Sequence, residues 1–220
     1  MDLFDLFLPL HIAAGTTGLL AGTVNFLRKK GDPLHQRVGR IFFYSMMVVG
    51  ASALILSVLR PNTFLFTVGV FTIYLVGTAQ RYLSLKGLAK GQKPGPIDLA
   101  LSIGMLFFGL AFLVYGALLL WRGASFGVVL LVFGTIGSLM VKGDFNNYRG
   151  QAKYANTWLL VHLQRMLGGY IAAMTAFLVV NVNNTGVPGI VAWLLPTAVL
   201  VPLIIRWSGK HQAPLKRELE

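Results

Sequence analysis

Long apolar runs separated by short polar connectors dominate this sequence of 220 residues. A helix of about 20 apolar residues crosses the ~30 Å hydrocarbon core of a bilayer, and roughly 17–25 residues are workable. Seven runs reach this length: 5–27, 38–59, 64–85, 97–121, 125–141, 157–181 and 189–207. The pattern therefore predicts an all-α integral membrane bundle of seven transmembrane helices.

The connectors between the runs are short and rich in turn-forming residues, as in Gly31-Asp32-Pro33 and Asn183-Asn184-Thr185-Gly186. Asp followed by Pro favours a helix start, so Asp32 is the expected N-cap of the second span and Pro33 its first residue. The short connectors leave no room for an extramembrane domain. We expect one transmembrane domain over residues 1–207 and a short basic cytosolic tail over residues 208–220.

Composition strengthens the membrane prediction. The chain is 55% hydrophobic and only 12% charged, with a mean hydropathy of +0.70, whereas a soluble domain devotes about a quarter of its residues to charge. Most of the surface therefore faces lipid, and the bilayer is the expected partner. The absence of cysteine excludes disulfides, thiolate catalysis and cysteine-based metal sites.

The net charge of +12 bears on orientation. Basic residues lie between the apolar runs and not along one soluble face, so nucleic acid is not an expected partner. An excess of Lys and Arg marks cytoplasmic loops, which predicts a cell inner (plasma) membrane protein with its N-terminus outside and its C-terminus in the cytosol. This orientation puts 16 of the 19 basic residues inside: Arg28, Lys29, Lys30, Arg37, Arg40, Arg81, Lys86, Lys90, Lys93, Lys142, Arg149, Lys153, Arg206, Lys210, Lys216 and Arg217.

Ionisable side chains are rare within the predicted spans. They are His11 in the first span and His162 and Arg165 in the sixth, with Arg81 near the inner end of the third. Each costs about 2.5–3.5 kcal/mol at the centre of a helix on insertion scales, so such residues are candidates for function. His162 and Arg165 share one helix face. Arg165 either extends to the inner interface or faces the bundle as a buried cation.

Polar residues at similar depth in several spans suggest a cavity open to the cytosol. The leading hypothesis is a small permease or binding protein that engages an anion, a proton or a small polar solute. This hypothesis is motivated by basic residues within the predicted spans for which no acidic residue is expected at the same membrane depth. The expected substrate-binding residues are His162, Arg165, Arg81, Tyr74, Thr78 and Asn25.

Two alternatives stay open. His35, His162 and Asp144 are expected at one membrane level and are plausible ligands for a divalent metal, or the two histidines for one haem, which would suit a membrane-embedded metal- or haem-dependent enzyme. The other alternative is an accessory or structural subunit without chemistry. His11 lies roughly 13 Å in depth from His162, so the two cannot share an ion, and His11 is expected to hydrogen-bond to a neighbouring span.

Two segments carry a family resemblance. The first combines His11-Ile12-Ala13-Ala14-Gly15 with Arg28-Lys29-Lys30-Gly31 and Leu34-His35-Gln36-Arg37-Val38-Gly39-Arg40. The second runs from Trp158-Leu159-Leu160-Val161-His162-Leu163-Gln164-Arg165-Met166 through Phe177. Both resemble a bacterial family of predicted membrane proteins with a domain of unknown function. The resemblance implies a polytopic bacterial membrane protein and no particular activity. It emphasises the same residues: His11, His35, His162 and Arg165.

Overall fold

The computed structural model describes residues 2–182 and 189–215. Within these ranges the chain forms seven α-helices and no strand: α1 (Leu3–Leu27), α2 (Pro33–Leu59), α3 (Thr63–Tyr82), α4 (Pro96–Trp121), α5 (Gly127–Tyr148), α6 (Thr157–Val182) and α7 (Gly189–Lys210), with a single 3₁₀ turn at Leu88–Lys90. Each helix is long and apolar enough to cross a membrane. The predicted all-α, seven-span fold is confirmed. The predicted connector 183–186 and the tail residues 216–220, with Lys216 and Arg217, lie outside the described residues.

Helix ends differ from prediction where polar residues lie in the last turns. Helix α5 runs to Tyr148 and not to residue 141, so Asp144 belongs to a helix instead of a connector and is fully buried. The predicted apolar run ended at residue 141 because Lys142 is charged. An exposed lysine near a helix end keeps its ammonium in water and does not stop the helix. Helix α3 ends at Tyr82 and not at residue 85.

Two helix starts follow from local chemistry. Asp32 caps α2, because its carboxylate accepts the amide of His35 at 2.6 Å and Pro33 follows as the first helical residue. Gly31, with φ +89°, supplies the left-handed conformation that the preceding turn needs. At the start of α4, the Asp98 carboxylate accepts the amide of Gly95 at 2.7 Å. The contact of Asp32 with the His35 amide confirms the cap predicted for the second span.

The chain divides into two compact units. Unit 1 comprises residues 1–77 and 163–210, and unit 2 comprises residues 78–162 and 211–220, in each case for the positions that the structure describes. Helix α3 passes from unit 1 to unit 2 after Gly77, and α6 passes from unit 2 to unit 1 after His162. The single domain expected over residues 1–207 stays a prediction.

Unit 1 has its own apolar core, with small residues where helices approach closely. The core consists of Ala21, Phe42, Met46, Val76, Tyr170 and Leu200. A Cβ atom added at Gly22 would overlap the ring of Tyr170, and one at Gly18 would lie 3.1 Å from the sulfur of Met46. In lipid such close backbone approach provides the packing energy that the hydrophobic effect supplies in water.

Unit 2 is built around the pair α4 and α5 and a small aromatic cluster. A Cβ atom at Gly134 would lie 2.7 Å from the carbonyl oxygen of Gly109, so the two helix backbones nearly touch. Tyr82, the last residue of α3, forms the cluster with Leu85 and Leu88. Residues 211–215 join this unit through an antiparallel bridge between Tyr154 and Pro214.

Candidate functional site

Arg165 lies in the interior of unit 1. Its side chain is 4% exposed, and its guanidinium carbon lies 4.9 Å from the ring centroid of Tyr74, which is 2% exposed. The arginine is therefore a buried cation that faces protein and does not extend to the headgroups. The structure brings together two of the predicted binding residues, one from α6 and one from α3.

Glycines on α6 explain how these two side chains meet. A Cβ atom at Gly169 would lie 2.6 Å from Cγ2 of Val76, whereas one at Gly168 would lie at an ordinary 3.7 Å from Leu75. A side chain at position 169 would collide with Val76. Because glycine has no side chain, α6 can approach α3 closely at this position. Arg165 stands one turn before Gly169 and so reaches the Tyr74 ring.

The contact between Arg165 and Tyr74 is a cation–π interaction. A guanidinium has five N–H donors in one plane and keeps its charge inside proteins. The cation–π attraction is worth about 2 kcal/mol or more when the pair is desolvated, which offsets part of the cost of a charge in a span.

Arg81, in unit 2, has a different environment. Its Nε donates to Oδ1 of Asp98 at 2.8 Å and its Nη2 donates to Oδ2 at 3.1 Å, a two-point contact with a fully buried carboxylate. The same carboxylate holds the amide of Gly95. Arg81 was expected to bind substrate, and the geometry gives it a carboxylate partner that ties the end of α3 to the start of α4.

Asp144 forms the centre of a buried polar network in unit 2. Its carboxylate accepts the hydroxyl of Tyr82 at 2.7 Å and the hydroxyl of Ser102 at 3.2 Å. The Tyr82 oxygen in turn accepts from the amide of Asn147 at 3.1 Å. Tyr82, Ser102 and Asn147 were not among the site residues predicted from the sequence. The spacing of Asp144 and Asn147, three apart on one helix face, could have indicated Asn147 had α5 been extended past Lys142.

His162 is held in one orientation by the backbone of α3. Its Nδ1 lies 2.9 Å from the carbonyl oxygen of Ala79. Because a carbonyl can only accept, we assign the proton to Nδ1. Thr78, on the preceding position of α3, is also buried.

The predicted binding residues divide equally between the two units. Tyr74, Arg165 and Asn25 belong to unit 1, and Thr78, Arg81 and His162 belong to unit 2. The structure joins Tyr74 with Arg165 in the first unit. A single cavity lined by all six stays a prediction.

Asn25 and His35 meet at the connector between α1 and α2. The Asn25 amide donates to the carbonyl oxygen of His35 at 3.1 Å, and Arg28 pairs with Asp32 at 2.8 Å. The hydrogen bond from the His35 amide, with a smaller contribution from Arg28, lowers the pKa of Asp32 against the opposing effect of desolvation. This cluster ties the end of α1 to the start of α2.

His11 forms the hydrogen bond to a neighbouring span that the sequence predicted. Its Nδ1 lies 2.9 Å from the hydroxyl oxygen of Ser52 on α2. The Ser52 hydroxyl donates to the carbonyl of Val48 at 2.6 Å, so its oxygen accepts from the histidine. His11 thereby joins α1 to α2.

Among the residues that the structure describes, no group of three or more His, Asp or Glu side chains could hold a metal ion. The metal site expected from His35, His162 and Asp144 stays a prediction without support from this geometry. His35 belongs to unit 1, and His162 and Asp144 belong to unit 2.

Seven apolar helices with a few buried polar groups define a multi-pass membrane protein. Residues 8–91 match the model of a family described as "Predicted membrane protein (DUF2306)". This match confirms the resemblance to a membrane protein family with a domain of unknown function, over the first of the two segments that carried it; the segment 158–177 lies beyond the matched range. No curated protein and no solved structure matches the chain.

Proposed function

We propose that this membrane protein is a small permease or binding protein for an anion. One observation carries the proposal: Arg165 is a buried cation in a transmembrane helix, stacked on the buried ring of Tyr74. A charged side chain inside a span is expensive and is typical of substrate and ion pathways. The planar donors of a guanidinium suit carboxylate- or phosphate-like groups.

The contrast with Arg81 favours an anion over the other ligands considered. Arg81 makes a two-point contact with Asp98, so its charge is already balanced by a carboxylate within unit 2. An anion that binds the protein must find positive charge elsewhere. Arg165 is 4% exposed and lies against the Tyr74 ring inside unit 1, so it is the buried cation from which we infer anion binding.

The same proposal includes a location and an orientation. Most basic residues, including Lys90, Lys93 and Arg149, would face the cytosol if the N-terminus lay outside. We therefore propose a bacterial inner membrane with the C-terminus in the cytosol. A reporter fused to the C-terminus that is active only in the cytosol tests this orientation, and an inactive fusion at normal expression would reverse it.

Flux measurements test the anion proposal. The full chain is reconstituted in proteoliposomes, and uptake of chloride, phosphate and small carboxylates is measured for the wild type and for Arg165→Gln. We expect one of these anions to be transported by the wild type and its flux to fall at least tenfold in the variant, since a two-point charged hydrogen bond is worth about 1.5–3 kcal/mol. Arg122→Gln, which changes an exposed arginine at the end of α4, is the control.

Binding measurements cover the case in which Arg165→Gln does not fold. An anion that binds the native state raises its thermal stability in proportion to its occupancy. Arg165→Lys keeps the charge but loses the planar donors, so we expect it to fold with weaker stabilisation by the transported anion. Equal stabilisation of the wild type and Arg165→Lys, together with unchanged flux, would refute a binding role for Arg165.

One observation favours a second candidate, a metal- or haem-dependent protein. A metal-ligating histidine generally donates its other ring N–H to a backbone carbonyl or a carboxylate, and the contact of His162 with Ala79 has this form. Elemental analysis and an absorption spectrum of the purified protein test it. A colourless, metal-free preparation would exclude this candidate.

A further inference from the structure

The connector surface of unit 1, defined here as residues 25–40, has a strong excess of positive charge. This stretch contains five basic residues and one acidic residue, Asp32, and the basic residues are Arg28, Lys29, Lys30, Arg37 and Arg40. Clusters of four to eight Lys and Arg at the end of a transmembrane helix are typical of sites for anionic lipid. A basic side chain of this cluster can bind lipid only if it is not already held by a partner within the protein.

Two of the five cations have partners inside the protein. The ammonium of Lys30 donates to the carbonyl oxygens of Asn25, Phe26 and Arg28 at 2.7–2.9 Å and so satisfies the carbonyls at the end of α1. Arg28 pairs with Asp32. Asp32 also holds the His35 amide at the start of α2, so the helix terminus itself is capped.

The other three cations point outward. Lys29, Arg37 and Arg40 are exposed, and no contact within the described residues engages them. Arg37 and Arg40 are three apart on α2 and share a face. Leu27, 76% exposed, and Leu34, 45% exposed, belong to the same stretch of chain. The surface therefore presents both positive charge and apolar side chains, as an amphiphilic ligand requires.

Three buried polar atoms of this surface have no hydrogen-bond partner within the described residues. They are Oδ1 of Asn25, Nε of Arg28 and Nδ1 of His35. Contacts link these three residues, since the Asn25 side chain donates to the backbone carbonyl of His35, and Asp32 binds both the Arg28 side chain and the backbone amide of His35. Buried polar atoms are nearly always hydrogen-bonded, so three unpartnered ones in one cluster point to a polar ligand at this surface.

The chemistry of these atoms restricts what the ligand is. Nε of Arg28 is always a donor and needs an acceptor, whereas Oδ1 of Asn25 is an acceptor and needs a donor. A phosphate group supplies the first, and a hydroxyl supplies the second. A phosphate diester that carries free hydroxyls meets both requirements, and the outward cations add attraction for its charge.

We propose that the connector surface binds the headgroup of an anionic phospholipid bearing hydroxyl groups, of the phosphatidylglycerol type. The headgroup phosphate accepts from Arg28, its hydroxyl donates to Asn25, and the acyl chains lie along Leu27 and Leu34. This inference is independent of anion transport at Arg165.

Entry of the headgroup requires a movement of Arg28. Its Nε is sealed from solvent, but the side chains of Arg28 and Asp32 are 32% and 28% exposed. A partly exposed ion pair is weak, so a phosphate can replace the Asp32 carboxylate at Arg28. Asp32 keeps its bond to the His35 amide and continues to cap α2.

Lipid competition tests the proposal on the full chain. The protein is placed in nanodiscs of phosphatidylcholine with a minor fraction of phosphatidylglycerol or of phosphatidylmethanol, and the retained lipid is counted by native mass spectrometry. Both minor lipids carry one negative charge, but only the first has headgroup hydroxyls. We expect wild type to retain both over phosphatidylcholine and phosphatidylglycerol over phosphatidylmethanol.

Variants separate the charge from the hydroxyl. Arg37→Gln with Arg40→Gln should weaken retention of both anionic lipids, by roughly fivefold for each cation removed. Lys90→Gln with Lys93→Gln makes the same charge change on unit 2 and should leave retention unaltered. Asn25→Leu should abolish the preference for phosphatidylglycerol and keep the preference for anionic lipid.

Three results would overturn the proposal. Equal losses in the two charge variants would mean that net charge alone attracts lipid. Equal retention of the two anionic lipids by wild type would eliminate the hydroxyl contact. Full displacement of the lipid by inorganic phosphate in detergent would assign the surface to free phosphate instead of a lipid.

Discussion

The two units stabilise an arginine inside a transmembrane helix in different ways. In unit 1, Arg165 stacks on the neutral ring of Tyr74. In unit 2, Arg81 makes two hydrogen bonds to the carboxylate of Asp98. The ring contact contributes a cation–π attraction to a buried cation, whereas the carboxylate neutralises the charge of Arg81 and occupies two of its donors. The second arrangement forms a fixed connection between the end of α3 and the start of α4.

If this contrast is correct, loss of the partner should cost most in unit 2. Asp98→Ala leaves the Arg81 charge without its carboxylate and removes the cap at Gly95. Breaking a buried ion pair from one side costs about 3–5 kcal/mol, and we expect the low end of that range because Arg81 is 33% exposed. Equilibrium unfolding in mixed detergent micelles measures the free-energy change.

Asp98→Asn is the matched variant for this prediction. Asparagine keeps an acceptor for the Gly95 amide and removes only the charge, so its cost should lie between those of the wild type and Asp98→Ala. A cost below about 0.5 kcal/mol for both variants, the level of an ordinary surface change, would remove the structural role assigned to Arg81.

The close approach of α6 to α3 in unit 1 is the next largest effect. Gly169→Ala places a methyl group 2.6 Å from Val76, and overpacking of this kind costs about 1–3 kcal/mol. Gly168→Ala meets Leu75 at 3.7 Å and should be neutral or slightly stabilising, because alanine is the better helix former. Equal stabilities of the two variants in the same unfolding assay would contradict the close contact.

The seven helices could be predicted from the sequence because each feature that defines them is local. Apolar run lengths set the seven spans, and Asp32-Pro33 set the start of α2. The end of α5 could not be predicted from hydropathy, since Asp144 is satisfied by Tyr82 and Ser102 from other helices. From the sequence alone, a buried carboxylate whose partners are distant along the chain cannot be distinguished from a carboxylate in a loop.

The candidate site was predictable only as a set of residues. The cost of charge in lipid identified Arg165 and Arg81, but it could not distinguish their partners. Asp98 stands 17 positions from Arg81, at the start of another helix, and the pairing depends on how α3 ends and α4 begins. Tyr74 was selected for its depth, and its contact with Arg165 follows from the approach of α6 at Gly169, which no local pattern encodes.

The stacking of Arg165 on Tyr74 should give a measurable coupling energy. In a double-mutant cycle of Arg165→Met and Tyr74→Leu, the two losses should not add, and the coupling should be about 2 kcal/mol for a desolvated cation–π pair. Tyr74→Phe keeps the ring and should retain most of the coupling. Additive losses in unfolding free energy would show that the ring does not stabilise the cation, and the contrast between the units would fail.

The smallest effect is expected at the connector of unit 1, where an arginine and a carboxylate pair in partial contact with water. The His35 amide and Arg28 lower the pKa of Asp32, so the folded state favours the ionised carboxylate. The resulting stability is present above the ordinary aspartate value of about 4 and is lost as the pH falls through the lower value of the folded state. Asp32→Asn, which keeps a capping acceptor, should be less stable than the wild type at pH 7 and should equal it at pH 2.

Unfolding curves at pH 7, 4, 3 and 2, each with and without 0.5 M salt, measure this difference. Salt should reduce the advantage of the wild type at pH 7, because an exposed pair is screened, while the cost of Asp98→Asn should change little since Asp98 is fully buried. An advantage of the wild type that persists at pH 2 would mean that the ionised Asp32 does not supply it. The contrast between a weak ion pair at the connector and a buried one in unit 2 would then fail, because the charge of Asp32 would contribute no stability.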